Sequence, residues 1–402
     1  MGMRAAFWIS ALVVGYVYVG YPILLACWAR WRPLPAPQPA ALDDVLPTVS
    51  IVIAARNEAA RLPARIENLL ALDYPADRRQ IIVVSDGSSD RTLDVLAPFG
   101  SAVDVIEAPP RGKAASLNAG VARASGTILV FADARQMFAP DALRELVAPF
   151  ADPTVGGVSG ELLLDCEASE VAGRRAGAER RTLWRDRRAS ADRGPDRRVA
   201  VDRRGRLVST IADGVGLYWT YEKQLRRWES CVGSTLGATG AIYALRRTLF
   251  RPLPDHAILD DVLTPMRAVL AGYRVVFSER AFAFDRAAVD ADAEQRRKVR
   301  TLAGNVQILG HEPRLLVPVL NPVWLQYMSH KLGRLVVPYA LLALFAASVA
   351  LSEQAAIYTL ALIAQCALYM LGGYGAWLEH RASISAQPLA TPATAAERIV
   401  SA

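Results

Sequence analysis

Ser50-Ile51-Val52-Ile53-Ala54-Ala55-Arg56-Asn57-Glu58 is a short β-branched run that ends abruptly in polar residues, and a helical pattern from Ala59 to Leu72 follows it. The same grammar repeats downstream. Ile81 to Val84 is apolar and stops at Ser85-Asp86-Gly87-Ser88-Ser89-Asp90, and Val103 to Ile106 and Thr127 to Phe131 continue the series. Strands that alternate with helices predict an α/β fold with a mostly parallel sheet covered on both faces. Ligands of such sheets bind at the carboxyl ends of the strands, which is where Asn57, Glu58, Asp86 and Asp133 stand.

Outward from this core the chain becomes apolar. Its 402 residues are 52% hydrophobic with a positive mean hydropathy, which leaves room for one large domain plus membrane segments. Residues 5–28 hold no charge and meet the length of about 20 residues needed to cross a bilayer. A signal peptide is the competing reading, with Arg4 as its n-region. The run is longer than an h-region of about 7 to 15 residues, and Arg30 and Arg32 follow it instead of a small-residue cleavage site, so an anchor is expected. Residues 335–351 and 355–377 form two further spans around Ser352-Glu353-Gln354, which serves as a tight hairpin. Segment 313–333 reads as an interfacial lead-in to them.

Arg30, Arg32, Lys331 and Arg334 flank the spans while the 352–354 loop has no base, so the positive-inside rule places residues 29–334 in the cytoplasm of a multi-pass inner-membrane protein. The tail 378–402, with Arg381 and Arg398, is expected to be flexible and cytoplasmic too. Trp219, Tyr221, Trp228, Trp324 and Tyr327 suit either the membrane surface or a core. Cysteines at 27, 166, 231 and 366 have no metal-ligand spacing and imply no disulfide framework.

The net charge of +7 owes much to residues 165–210, which hold thirteen arginines against eight acids and repeat Asp-Arg-Arg at 186–188, 196–198 and 202–204. With few apolar residues the stretch cannot bury enough surface to offset chain entropy, so a solvated insertion is expected. Docking on anionic lipid is the sharper alternative. Nucleic-acid binding is disfavoured, because Trp184 is its one aromatic and no stacking platform exists.

Several motif residues have a plain local reading. Asp86-Gly87-Ser88-Ser89 is good turn chemistry. Glu58 favours the N-terminus of a following helix, and Asp260-Asp261 does the same for a helix from Val262 to Ala271. Lys113, after Gly112, is the kind of loop base that is usually just solvated.

Taken together and in order, these motifs with Phe131-Ala132-Asp133-Ala134 and Leu259-Asp260-Asp261 resemble the membrane-bound branch of glycosyltransferase family 2, the cellulose, hyaluronan and poly-N-acetylglucosamine synthase-like enzymes. The resemblance covers about residues 48–304. It implies a GT-A-like nucleotide-sugar-binding domain, here 47–310, with about three transmembrane helices, and an inverting transfer from a nucleotide-sugar donor, UDP-linked by expectation, to a saccharide or lipid acceptor. In the family the residue matching Asp86 accepts a hydrogen bond from the base, and Asn57 and Glu58 match the nucleoside-contacting end of the first strand. Lys113 matches a lysine beside the donor, where a fixed cation offsets diphosphate charge.

Asp133 matches the first carboxylate of an Asp-x-Asp pair that holds Mg2+ or Mn2+. The pair's second position is Arg135 in this chain, which weakens a site for a hard cation; the guanidinium is expected to supply part of the missing charge. Asp261, second of the acidic pair with Asp260, matches the base that deprotonates the acceptor. Thr239 and Gly240 lie in a Gly-containing acceptor-side stretch. Arg297 and Arg300 align with a Gln/Arg-x-x-Arg-Trp element whose tryptophan is Thr301 here, which puts long-chain processivity in doubt. A polymer product would call for an export partner or a homo-oligomer, and a glycolipid product for membrane lipid alone. The alternative to an enzyme is a nucleotide-sugar sensor or assembly partner without turnover.

Overall fold

The computed structural model describes residues 2–35, 46–164, 220–285 and 291–385. The arginine-rich stretch 165–210, Trp219, Cys166 and the tail beyond Ser385 lie outside the described residues. The chain divides into two compact units, Val17–Ala287 with Arg300–Leu335, and Met1–Tyr16 with Ala288–Val299 and Val336–Ala402.

The first unit is built on an eight-stranded sheet: β1 (Val49–Ala55), β2 (Arg79–Asp86), β3 (Asp104–Ala108), β4 (Ile128–Ala132), β5 (Met137–Phe138), β6 (Val155–Leu164), β7 (Ile242–Arg246) and β8 (Arg274–Asp285), in the order β3-β2-β1-β4-β7-β6-β8-β5. β3, β2, β1 and β4 run parallel, β7 is antiparallel to both neighbours, and β6 and β8 pair in parallel. The expected α/β architecture is therefore present, with antiparallel pairs inserted through β7 and β5. Alternation along the strands explains the layering, since successive side chains point to opposite faces. Ile51, Ile53, Val83 and Val130 pack with Leu62, Ile66 and Leu69 on one face, while Val52, Val84, Leu129 and Phe131 pack with Leu117 and Met266 on the other. Burial on both faces is why these strands read as nearly continuous apolar runs.

The chain steps outward through β1, β2 and β3, then returns to the other side of β1 with β4. That reversal is a topological switch point, where open α/β sheets bind ligands. The crossover helix Lys113–Arg123 closes the return. Gly120 lets it sit on the sheet, because a Cβ there would lie 2.5 Å from Val52 Cγ1 and 3.2 Å from Val84 Cγ2. The helix after β1 is shorter than its pattern predicts, Leu62–Leu70 instead of 59–72. Asn57, Glu58 and Ala59 donate their backbone N–H groups to Ser88, Thr92 and Asp90 of the loop after β2, which ties residues 57–59 to that loop.

Among the described residues three helices are long and apolar enough to cross a membrane: Gly2–Trp31, Trp324–Leu351 and Ala356–Gly375. The second begins well before residue 335. Residues 324–333, expected as interfacial lead-in, are helical and continue into it through a π turn at Tyr327–Leu332, and Tyr327 is core rather than surface. The last helix runs past 377 to Ser385, since no proline interrupts it before Pro388; residues 378–385 are thus helix, not tail. Within the second unit Phe7 meets the Tyr358 ring edge-on at 4.8 Å, and Arg4 donates to Gln354 Oε1 at 2.9 Å. The start of the first apolar helix therefore lies beside the 352–354 turn.

Candidate functional site

Asp86 ends β2 almost fully buried. Its Oδ1 accepts the Arg111 and Gly112 backbone N–H groups at 2.9 and 3.0 Å. The carboxylate thus fixes the loop that leads into the Lys113–Arg123 helix, where Gly112 takes a φ of 91°. Gly87, at φ 60°, is required beside it, since a Cβ would fall 2.7 Å from Pro110 Cδ. Asn57 also has positive φ, 56°, and its Oδ1 accepts the Ser89 N–H at 2.8 Å. Glu58 pairs with Arg61 at 2.7 Å. These two side chains brace the loops at the ends of β1 and β2.

Lys113 opens its helix with the ammonium 3.0 Å from Asp133 Oδ1 and 3.3 Å from Asp260 Oδ1. Burial disfavours its charge, but Asp260, Asp133 and Asp261 outweigh that and raise its pKa. Asp260, 4% exposed, also accepts the Tyr243 hydroxyl at 3.2 Å. Burial, then the charges of Asp260 and Asp261, pushes that phenol well above its ordinary value. The two carboxylates begin the Asp260–Leu270 helix, which stabilises negative charge there. Asp261 is nonetheless raised to about 6, by burial first and by Asp260 second, with Lys113 and Lys331 opposing. A carboxyl so placed changes protonation near neutral pH, as a general base should.

Thr239 and Gly240 stand beside it. A Cβ on Gly240 would lie 2.9 Å from Asp261 Oδ2, and the Ala238 N–H donates to the Asp261 carbonyl at 2.7 Å. Thr239 receives the Arg226 guanidinium on its hydroxyl at 2.8 Å and donates its N–H to Ser159 Oγ at 3.0 Å. Arg300 donates to the Ile258 carbonyl at 3.3 Å, next to the acidic pair. Gly304, on the same helix as Arg300 (Ala291–His311), packs against the same loop, since a Cβ there would be 2.5 Å from Leu259 Cγ. Arg297 is exposed and belongs to the other unit.

Arg135 differs from its expected use. Its guanidinium pairs with buried Asp285 at 2.6 Å, and Gln136 donates to the same oxygen at 3.0 Å. Its charge is therefore already matched by a carboxylate from β8. Among the described residues no group of three or more metal-ligating side chains exists. Asp133 keeps a partly exposed carboxylate beside Lys113, which suits Mg2+ binding through one carboxylate plus substrate phosphates and water.

The structure thus brings Lys113, Asp133, Asp260, Asp261, Thr239, Gly240 and Arg300 around one end of the sheet. Tyr243, Arg226 and Asp285 join them without a motif to announce them. Asp285 is 150 residues from its partner, beyond any local signal, whereas Tyr243 sits inside the Gly-containing stretch and its inward position on β7 follows from strand alternation.

The Glycosyl transferase family 2 model matches residues 50–198. Among solved structures, the mannosyltransferase PcManGT of Pyrobaculum calidifontis, in complex with GDP-Man and Mn2+, superposes with a TM-score of 0.67 at 22% identity, covering 93% of this chain and 94% of that one. The probable glycosyltransferase YdaM of Bacillus subtilis is 26% identical over 274 residues, 66% of this chain and 56% of the relative. The beta-monoglucosyldiacylglycerol synthase of Synechocystis is 34% identical over 139 residues, 33% of this chain and 29% of the relative. The matches therefore span about half or less of these curated relatives. From β1 through β6, with Asp86 and Asp133 at strand ends and Lys113 opening the helix between β3 and β4, residues 50–198 match a glycosyl transferase family 2 domain, on a GT-A-like α/β fold.

Proposed function

We propose that the chain is an inverting glycosyltransferase that moves a sugar from a nucleoside diphosphate donor to a lipid acceptor at a membrane surface. The observation that carries this reading is Asp261, a carboxyl raised to about 6 beside a gap that only glycine leaves open. In this reading Asp261 takes the proton of the acceptor hydroxyl as that oxygen forms its bond to the anomeric carbon. The bond to the diphosphate breaks from the opposite face with its electron pair, and the nucleoside diphosphate departs. Asp86 receives an N–H of the base, and Lys113 lies where the diphosphate charge collects. Asp260, with Tyr243 and Lys113, orients the segment that presents Asp261. Asp133 would hold a divalent cation, which when bound neutralises diphosphate charge; the Mn2+ in the PcManGT complex supports a metal of this kind.

Two features favour a lipid acceptor. Leu316, Val317, Val319 and Leu320 are exposed, Val319 at 92%, in the loop before the second apolar helix, which suits insertion at a membrane interface. Thr301 replaces the tryptophan expected of a processive synthase. The synthase from Synechocystis is named for a glycolipid product, and such a product needs neither an export partner nor a homo-oligomer. Exposed Arg30 and Arg32, at the end of the first apolar helix, support a cytoplasmic catalytic domain.

The test is product partition. Membranes holding the protein receive labelled nucleotide sugars, and label is expected in the solvent-extractable lipid fraction. Label confined to high-mass, glycosidase-sensitive polymer contradicts the lipid reading, and no transfer with retained nucleotide binding supports a sensor. Chelation should stop transfer, with magnesium or manganese restoring it; full activity in chelator would remove the metal from the scheme. Gly240→Ala should lower kcat by about 100-fold, because the new methyl displaces the Asp261 carboxylate from its working geometry, while nucleotide affinity, read by isothermal titration, holds.

A further inference from the structure

The helix over residues 220–232 turns Glu222, Arg226 and Glu229 to one face, by their spacing of four and three. That face is clamped to the π turn that begins the second apolar helix. Glu229 Oε1 accepts the Tyr21 hydroxyl at 3.0 Å and meets His330 Nδ1 at 2.6 Å, while Glu222 lies 3.5 Å from His330 Nε2 and bonds Arg334. With a carboxylate at each ring nitrogen His330 donates from both, so the clamp matches two carboxylates with the cations of His330 and Arg334.

Two further cations remain beside this neutral clamp. Lys331, half-buried, makes no hydrogen bond or ion pair among the described residues, and half-buried Arg226 donates to the neutral Thr239 hydroxyl and has no carboxylate partner there. Glu222 and Glu229, on the helix that carries Arg226, grip His330 next to Lys331, so the two cations share one field with Glu222, Glu229 and Asp261, and Lys331 holds down the pKa of Asp261. Arg226 grips the residue adjoining Gly240, whose Cβ would touch the Asp261 carboxylate. Asp261 is thus flanked by Lys113, already bound to Asp133 and Asp260, and by Lys331 and Arg226, neither of which makes a direct ion pair among the described residues, with Glu222, Glu229 and Asp261 itself as the carboxylates in the field of Lys331.

We propose that Lys331 and Arg226 form an anion subsite on the acceptor side of Asp261, so that the acceptor is an anionic membrane lipid, with a phosphate or carboxylate next to its reacting hydroxyl. This rests on the transferase reading above. Inversion demands that the acceptor enter opposite the leaving diphosphate; Lys113 serves the diphosphate side, which leaves Lys331 and Arg226 to the acceptor. Lys331 stands on a helix apolar enough to span a bilayer, with an exposed apolar loop leading into it, so the anion arrives from the membrane. Half-buried cations that make no direct ion pair attract an anion more strongly than solvated ones, because screening is weaker there.

The full chain in phosphatidylcholine micelles is given one labelled nucleotide sugar and three acceptors: dioleoylglycerol, dioleoylphosphatidylglycerol and soluble glycerol 3-phosphate. Phosphatidylglycerol should exceed dioleoylglycerol in kcat/KM by about tenfold or more, and Lys331→Gln or Arg226→Gln should collapse that ratio mainly through KM. Lys331→Arg should restore it, which separates lost charge from lost fold. Equal use of the charged and neutral lipids, or a Lys331→Gln loss shared by both, overturns the subsite. Equal use of glycerol 3-phosphate overturns the lipid source. Binding of fluorescent phosphatidylglycerol against the matching diacylglycerol is measured alongside: its selectivity, lost in Lys331→Gln, upholds the subsite even if no donor is turned over, whereas absent selectivity overturns it. Donor turnover without any lipid reports separately on the transferase reading.

Discussion

Asp261→Asn is expected to lower kcat for sugar transfer by about 1,000-fold while nucleotide binding survives, the scale of a lost general base. Asparagine keeps the size and the start of the Asp260–Leu270 helix, so the fold stays and only the proton acceptor goes. The wild-type pH profile carries the same information. Burial and Asp260 raise this carboxyl to about 6, and only its ionised form accepts a proton. The rate should therefore be on a plateau above about pH 6 and fall as pH drops below it. An Asp261→Asn enzyme that transfers at the wild-type rate, or a profile flat down to pH 4, would remove Asp261 from the chemistry.

Lys113→Met should cost both stability and function. The ammonium lies between Asp133 and Asp260, and Asp260 is nearly buried. Removing it leaves a buried carboxylate with Tyr243 as its remaining hydrogen-bond donor among the described residues, a loss of about 3 kcal/mol by comparison with other broken buried pairs. Lys113 also holds down the pKa of Asp261, so its loss should move the acid limb of the pH profile to higher pH and weaken donor binding. Thermal unfolding in detergent and a pH series of kcat measure the two effects. Lys113→Arg should keep the limb close to its original position. A lysine that was merely solvated would give an unchanged midpoint and an unchanged limb.

Much of the domain was legible in the chain because its cause is local. β1, β2 and β4 lie within a few residues of where their β-branched runs predict them, and Asp86, Asp133 and the acidic pair stand at element ends, where polar residues interrupt apolar ones. Helix ends were less legible. The helix after β1 starts at Leu62 because distant residues Ser88, Asp90 and Thr92 hold residues 57–59, and the second apolar helix starts at Trp324 because its polar first turns are clamped by Glu222 and Glu229.

The sequence by itself determined the succession of strands and helices, the three apolar helices and the carboxylates at strand ends, since periodicity and turn chemistry act over a few residues. Tertiary structure alone decided what those groups became. Arg135 pairs with Asp285 across 150 residues, and Asn57 accepts the Ser89 N–H of the loop after β2. The charge state of Asp261 depends on Asp260, Lys113 and Lys331 together, and such fields depend on distance and burial in the folded chain, not on separation along it.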